Sequence, residues 1–228
     1  MESNSITPAG TRVQNMDQLP RGHSSAPRDQ VMSSQRGRML RAVAIVVAEQ
    51  GYGDTVVENI VSVAGVSRKS FYEHFTDVQD CFLHAYSGFG DMIIDEVAQA
   101  VAAVEPVGSE PMRAAYRTVF TFLNEEPELA QAFWLDAVSV GPGYAETRQR
   151  IYGGFAELLR LGYALRRQNE PDLPEPLESS YAAATGMSAE LVILGVLSGA
   201  DVDVEAMVDE AVMFTLAILQ AQPVTADA

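Results

Sequence analysis

The chain has 228 residues, 47% of them apolar, and a net charge of −16 from 15 basic and 31 acidic side chains. That is enough for one large domain or two small ones with a full core. It excludes a protein that coats nucleic acid through overall basicity. The single cysteine, Cys81, excludes an internal disulfide and suits a reducing cytoplasm. Residues 1–20 are polar and lack the apolar run of a signal peptide, so a soluble cytoplasmic protein is expected. The charge is uneven. Residues 1–80 hold 8 basic and 9 acidic residues, and residues 81–228 hold 7 and 22. The window 28–72 is weakly basic, with Arg28, Arg36, Arg38, Arg41, Arg68 and Lys69 against Asp29, Glu49, Asp54 and Glu58. Such asymmetry fits two modules with different partners, or an acidic surface that only solubilises.

Residues 1–32 have no apolar periodicity and read as a disordered tail. Its arginines, Arg12, Arg21 and Arg28, either touch a polyanion or stay solvated. A first helix is predicted over 34–50, with Leu40, Val43, Ala44 and Val47 on one stripe and Gly51 as its stop. Thr55 opens a second short helix on Val57, Ile60, Val61 and Ala64. After the Gly65-Val66 turn, Ser67 opens a third, ending near Phe75. Thr76-Asp77 starts a fourth helix of roughly 40 Å, with Phe82, Tyr86, Phe89, Ile93, Val97 and Val101 on one side. Turn signals then delimit helices over 110–124, 127–140, 144–168, 177–198 and 204–220. There is no convincing strand and no internal repeat, so the fold is all-α with nine helices. The apolar stretch 182–200 is rich in Ala, Gly, Ser and Thr and carries Glu190, which suits a packed helix better than a membrane span.

The span 55–75 carries the functional signal. Two short helices joined by a tight glycine turn form a helix-turn-helix whose second helix can enter a DNA major groove. On a helical wheel Phe71 and Phe75 mark the buried side. Lys69, Ser70 and Glu73 point away, with Arg68 and Tyr72 on one flank and Ser67 and His74 on the other. These residue types bind phosphates or read base edges, and the helix N-terminus favours phosphate.

At these residues the sequence resembles the tetracycline-repressor (TetR) family of transcriptional regulators. The matching text is Gly51-Tyr52, Thr55, Ile60, Ala64-Gly65-Val66-Ser67 and Phe71-Tyr72-Glu73-His74-Phe75. It covers about residues 34–86, and the remaining chain agrees in helix count, length and order. The resemblance implies a helix-turn-helix domain over 33–80 and a helical ligand-binding and dimerisation domain over 81–228. It also implies that Thr55, Tyr72 and His74 contact phosphates and that Arg68, Lys69 and Ser70 face bases or the adjacent backbone. Read on their own, Thr55 and Ser67 are also helix caps, and Glu73 either accepts from a cytosine amino group or is solvated. Family members often carry a lysine just after the aromatic-histidine-aromatic run, whereas residues 76–80 hold no base. Arg36, Arg38 and Arg41 on the first helix are expected to compensate.

In the C-terminal part the resemblance implies an effector pocket between the fourth and eighth helices. Its candidate lining is Tyr116, Phe120, Phe133, Trp134, Tyr152, Phe155, Tyr163, Tyr181 and Met187, although aromatics at this spacing also build a core. Tyr181, Ala184, Ser188, Val192 and Gly195, with Val204, Val208, Ala211, Thr215 and Ile218, form two stripes. They either pair across a two-fold axis as a four-helix dimer interface or pack within one subunit. The expected function is a ligand-responsive homodimeric regulator, a repressor released from a palindromic double-stranded operator by a small-molecule effector. The alternative is a ligand-binding or protein-interaction module with weakened DNA binding. Against an enzyme, His23, His74 and His84 give no metal-ligand pair and no catalytic triad spacing, and no strand precedes a glycine-rich loop. Cys81 and His84 could share a helix face. No catalytic residue, metal or cofactor is expected.

Overall fold

The computed structural model describes residues 35–199 and 202–221. The tail over 1–32, with Arg12, Arg21 and Arg28, lies outside them. Nine helices and no strand occur among the described residues. α1 (Gln35–Gln50) buries Met39, Leu40, Val43 and Val47 and stops at Gly51. One tight turn, Tyr52–Asp54, leads to α2 (Val57–Ala64). Thr55 does not cap α2. It is buried and donates its hydroxyl hydrogen to the Gly51 carbonyl at 2.8 Å, closing that turn. Val56 holds the cap position instead, because Asn59 Oδ1 reaches back to accept its N–H at 3.2 Å. Gly65, with φ of +63°, ends α2. Ser67 caps α3 (Arg68–His74) by accepting the Ser70 N–H at 3.1 Å.

Asp77 caps α4 (Val78–Ala102) by accepting the Asp80 N–H at 2.8 Å. α5 spans Glu110–Glu125 and α6 spans Pro127–Ala130. The single helix expected over 127–140 widens into a π turn at Gln131–Leu135 and then tightens at Asp136–Val140. The wide turn sets the adjacent Phe133 and Trp134 both against Phe89, with ring centroids 4.6 and 5.3 Å away. α7 (Tyr144–Asn169), α8 (Glu178–Ser198) and α9 (Val204–Leu219) complete the chain.

α1, α2 and α3 close around Val43, Ile60, Phe71 and Phe75. α1 also packs on α4, where Cys81 and Phe82 are fully buried. The rest of α4 is enclosed by α5 and α7, which in turn pack on α8 and α9. α4 and α7 run side by side in the same direction and come close at two glycines. A Cβ at Gly90 would lie 2.5 Å from Ile151, and one at Gly154 would lie 2.6 Å from Ile94. A larger residue at either position would require the facing isoleucine to shift.

Phe82 joins the small N-terminal bundle to the larger one, meeting the Tyr52 ring edge-on at 6.0 Å and the tilted Phe133 ring at 5.7 Å. Phe82→Ala is expected to cost about 3–5 kcal/mol of stability. Urea unfolding followed by the fluorescence of Trp134, the one tryptophan, checks it. A loss under about 1 kcal/mol would mean that the two bundles do not share this core.

Candidate nucleic-acid interface and effector cavity

α3 presents Arg68, Lys69, Tyr72, Glu73 and His74 to solvent, and Lys69 is 87% exposed. Arg68 pairs with Glu58 of α2, and its Nη2 donates to the Tyr72 hydroxyl at 3.4 Å. Both members of the Arg68–Glu58 pair are more than half exposed, so the pair is weak and exchangeable for a phosphate. Lys69 lies 4.0 Å from Glu73 one turn on. Ser70 departs from the wheel. It is buried, and its hydroxyl meets Gln35 Oε1 at the start of α1. α1 crosses that flank of α3, which a wheel drawn from Phe71 and Phe75 alone does not register.

Arg36 places its guanidinium 5.2 Å over the Phe75 ring, and Arg38 is exposed beside the Gly65 turn. Both therefore border the helix-turn-helix. Arg41 does not. It turns toward the larger bundle and pairs with Glu126 at 3.3 Å, where both side chains are largely buried. Burial pushes the Glu126 carboxyl up from its ordinary value, and Arg41 opposes that.

A cavity of about 140 Å³ lies inside the larger bundle. Seven of the nine expected residues line it: Tyr116, Phe120, Phe133, Trp134, Tyr152, Phe155 and Tyr163. Tyr181 and Met187 do not. The wall missing from the expected set is the α4 stripe Tyr86, Phe89, Ile93, Val97 and Val101, which serves as core and lining together. Polar groups are few. The Tyr116 hydroxyl shares hydrogen bonds with Ser188 at 2.8 Å and Thr215 at 2.5 Å, and Tyr163 donates to the Pro174 carbonyl at 3.3 Å. Burial raises the Tyr86, Tyr116 and Tyr152 phenols, which therefore stay neutral. Arg166 is the one basic side chain in the lining.

The two expected interface stripes face inward. Tyr181, Ala184, Val192, Val208, Ala211 and Thr215 are buried within the single chain, and Ser188 bonds to Tyr116 in the cavity wall. Gly195 lies against Leu123 and Met207, while Val204 and Ile218 are half-buried. Small-residue stripes allow close approach inside a subunit as readily as across two. The exposed apolar residues of α8 and α9 are Leu194, Leu197, Met213 and Phe214. α8 is long and apolar enough to cross a membrane by length and composition, but it also buries Tyr181, Ala184, Thr185, Ala189 and Val192 inside the bundle.

Among the described residues, no three His, Cys, Asp or Glu side chains are grouped to hold a metal ion. Cys81 and His84 do not form a reactive pair. Cys81 is buried near the Met39 carbonyl with its thiol pushed up by burial, whereas His84 pairs with Asp80.

Residues 40–85, from α1 into α4, match the profile of the bacterial regulatory proteins of the tetR family. Those residues are thus similar to the N-terminal part of TetR-family regulators. Over 102 residues, 45% of this chain, it is 28% identical to the HTH-type transcriptional activator FasR of Mycolicibacterium smegmatis. That match spans 44% of the relative's length. The fold is shared more widely than the sequence. The fatty acid degradation regulator FadR of Bacillus halodurans superposes with a TM-score of 0.70 at 19% identity, over 78% of this chain and 96% of that one. FadR of Bacillus subtilis, solved in complex with stearoyl-CoA, gives 0.70 at 18% identity over 79% and 97%. α1 to α3 form a helix-turn-helix unit, and the body beyond it shares the fold of these solved regulators.

Tyr116 ties α5 to both α8 and α9 through one hydroxyl. Tyr116→Phe leaves Thr215, fully buried, without that partner. It is expected to lower stability by about 1–2 kcal/mol in chemical denaturation. A variant as stable as the parent would show that the shared hydroxyl contributes nothing net.

Proposed function

We propose that this chain is a DNA-binding transcriptional regulator that works as a cytoplasmic homodimer and releases a palindromic operator when an apolar effector enters its cavity. The observation that carries this is the continuity of α4. Its first turn follows directly on α3, and its later turns form a wall of the cavity. The exposed Arg68, Lys69, Tyr72 and His74 of α3, flanked by Arg36 and Arg38, supply donors for phosphates and base edges. The acyl-CoA bound by Bacillus subtilis FadR and the nearly hydrocarbon lining here support a long-chain acyl effector.

Size supports the coupling. A cavity of about 140 Å³ is small beside ordinary ligand pockets, which are roughly 300–1,000 Å³. A long-chain ligand therefore has to spread the helices, and the contacts at Gly90 and Gly154 mean that spreading moves α4 against α7. The ligand then binds the spread state better than the closed one, which is the differential affinity a population shift requires. In a dimer, that changes the separation of two α3 helices from the roughly 34–36 Å of one DNA turn. The bound dimer represses wherever its operator overlaps a promoter.

The test is selection of bound sequences from random duplexes with the purified protein, followed by titration of the selected duplex with palmitoyl-coenzyme A. Lys69→Ala is expected to weaken binding and to lower the slope of log K against log salt by about 1. Its stability should stay within about 0.5 kcal/mol of the parent. If no salt-sensitive, sequence-specific binding is found, the chain is a ligand-binding or interaction module instead.

The exposed apolar edge of α8 and α9 gives the dimer its surface. The double variant Leu197→Glu with Phe214→Glu is expected to sediment as a monomer and to lose operator affinity at least about tenfold. A dimer that persists would place the interface elsewhere.

A further inference from the structure

Arg166 stands apart from the rest of the cavity wall. It sits in the last turn of α7, where its Nε and Nη2 each donate to Glu170, both at 2.9 Å. Glu170 also accepts the Gly108 N–H at 3.1 Å, which fixes the carboxylate from a second side. The remaining guanidinium nitrogen, Nη1, is buried with no hydrogen-bond partner. It is the one side-chain polar atom in that condition among the described residues. Folded proteins seldom leave such a donor empty, least of all a charged one. The same side chain lines the apolar cavity.

Its position along the cavity matters. The lining starts at Tyr86 on α4, near the N-terminal bundle, and reaches Val101 and Gly108 at the other end. From Tyr86 to Val101 is roughly 22 Å of helix. Arg166 lies at that far end, beside the Gly108 turn and close to solvent, with its side chain 14% exposed. A hydrocarbon tail laid along α4 thus ends at a hydrogen-bond donor. Glu170 decides what kind of head group suits it. The Arg166 hydrogen bonds hold the Glu170 carboxyl below its ordinary range, so it is charged and largely neutralises the guanidinium. The site offers a donor without a net positive charge. An incoming carboxylate would face the Glu170 carboxylate, whereas a neutral carbonyl oxygen would not.

We propose that Arg166 Nη1 receives the carbonyl oxygen of a long-chain acyl ester or thioester whose tail fills the cavity, and that Glu170 makes the site prefer this neutral carbonyl to the carboxylate of the free acid. This rests on the acyl-effector reading above. It adds the polar contact that sets the ligand's register and its chemical class.

The experiment compares two probes on the full-length protein by Trp134 fluorescence and calorimetry. They are palmitoyl-coenzyme A and S-hexadecyl-coenzyme A, a thioether with the same tail length and nucleotide but no carbonyl. The parent is expected to bind the thioester at least about tenfold tighter, as for a hydrogen bond to a charged group. Arg166→Lys keeps a cation beside Glu170 but loses the second donor face, and should shrink the gap to under about threefold. If thermal melting shows that the lysine variant does not fold, Arg166→Gln takes its place. In Glu170→Gln, free palmitate should gain on palmitoyl-coenzyme A relative to the parent. If neither coenzyme A probe binds the parent, the acyl-effector reading falls and the anchor with it. If both bind the parent equally, or if the gap survives replacement of Arg166, the anchor is wrong while the effector reading stands. If palmitate gains nothing in Glu170→Gln, the preference for a neutral carbonyl is wrong.

Discussion

Phe133 touches Phe82 and Phe89, two residues that lie two turns apart on α4, at 5.7 and 4.6 Å. Phe82 belongs to the core under the helix-turn-helix, while Phe89 belongs to the cavity wall. The arrangement needs α4 to be unbroken, since a kink between the two rings would separate the bundles mechanically. No proline falls between the two rings, and α4 continues as one helix through Gly88, the one glycine between them. Gly90 then serves close approach to α7 rather than bending. Interiors packed this closely transmit displacement because they have little free volume to absorb it.

A second connection between the bundles is polar. Arg41 of α1 pairs with Glu126 at the α5–α6 junction, and Gln131 Nε2 donates to the Ala48 carbonyl at 3.0 Å. The two connections differ in kind. Aromatic rings in a tilted stack slide past one another with small change in energy, whereas a largely buried ion pair loses its compensation as soon as it separates. The α1–α6 contact is thus the stiffer of the two.

Nine helices were legible in the sequence because their ends are written in local chemistry. Gly51, Gly65, Ser67, Asp77 and the Gly141-Pro142-Gly143 run each act within a few residues of themselves. Three features were not legible, and each depends on a helix distant in sequence. Ser70 turns inward because Gln35 lies across it. The small stripes of α8 and α9 turn inward because Tyr116, Leu123 and Met207 meet them there. The lining role of Arg166 was masked because a basic residue in a last helical turn already has a sufficient local explanation in the helix dipole. Its bidentate pair with Glu170 at i+4 looks equally local, and only the empty third nitrogen marks it out.

The net charge of −16 takes on a different meaning once the ion pairs are placed. In the body Arg113, Arg117, Arg150, Arg160, Arg166 and Arg167 all pair with acidic partners, and Arg148 lies over the Tyr152 ring. Its excess acid is therefore not relieved by stray cations. The N-terminal bundle, nearly neutral overall, shows Lys69 and Arg38 at its outer face. Charge separated in this way gives the molecule an electrostatic axis. A polyanion is repelled by the body and meets its least unfavourable potential at α3, so orientation on approach follows from where the acid lies. The same axis explains how a strongly acidic protein can still present an exposed helix, α3, that carries the basic residues Arg68 and Lys69. In such a molecule discrimination between faces comes from repulsion at the wrong ones, and the right one needs only enough attraction to hold register.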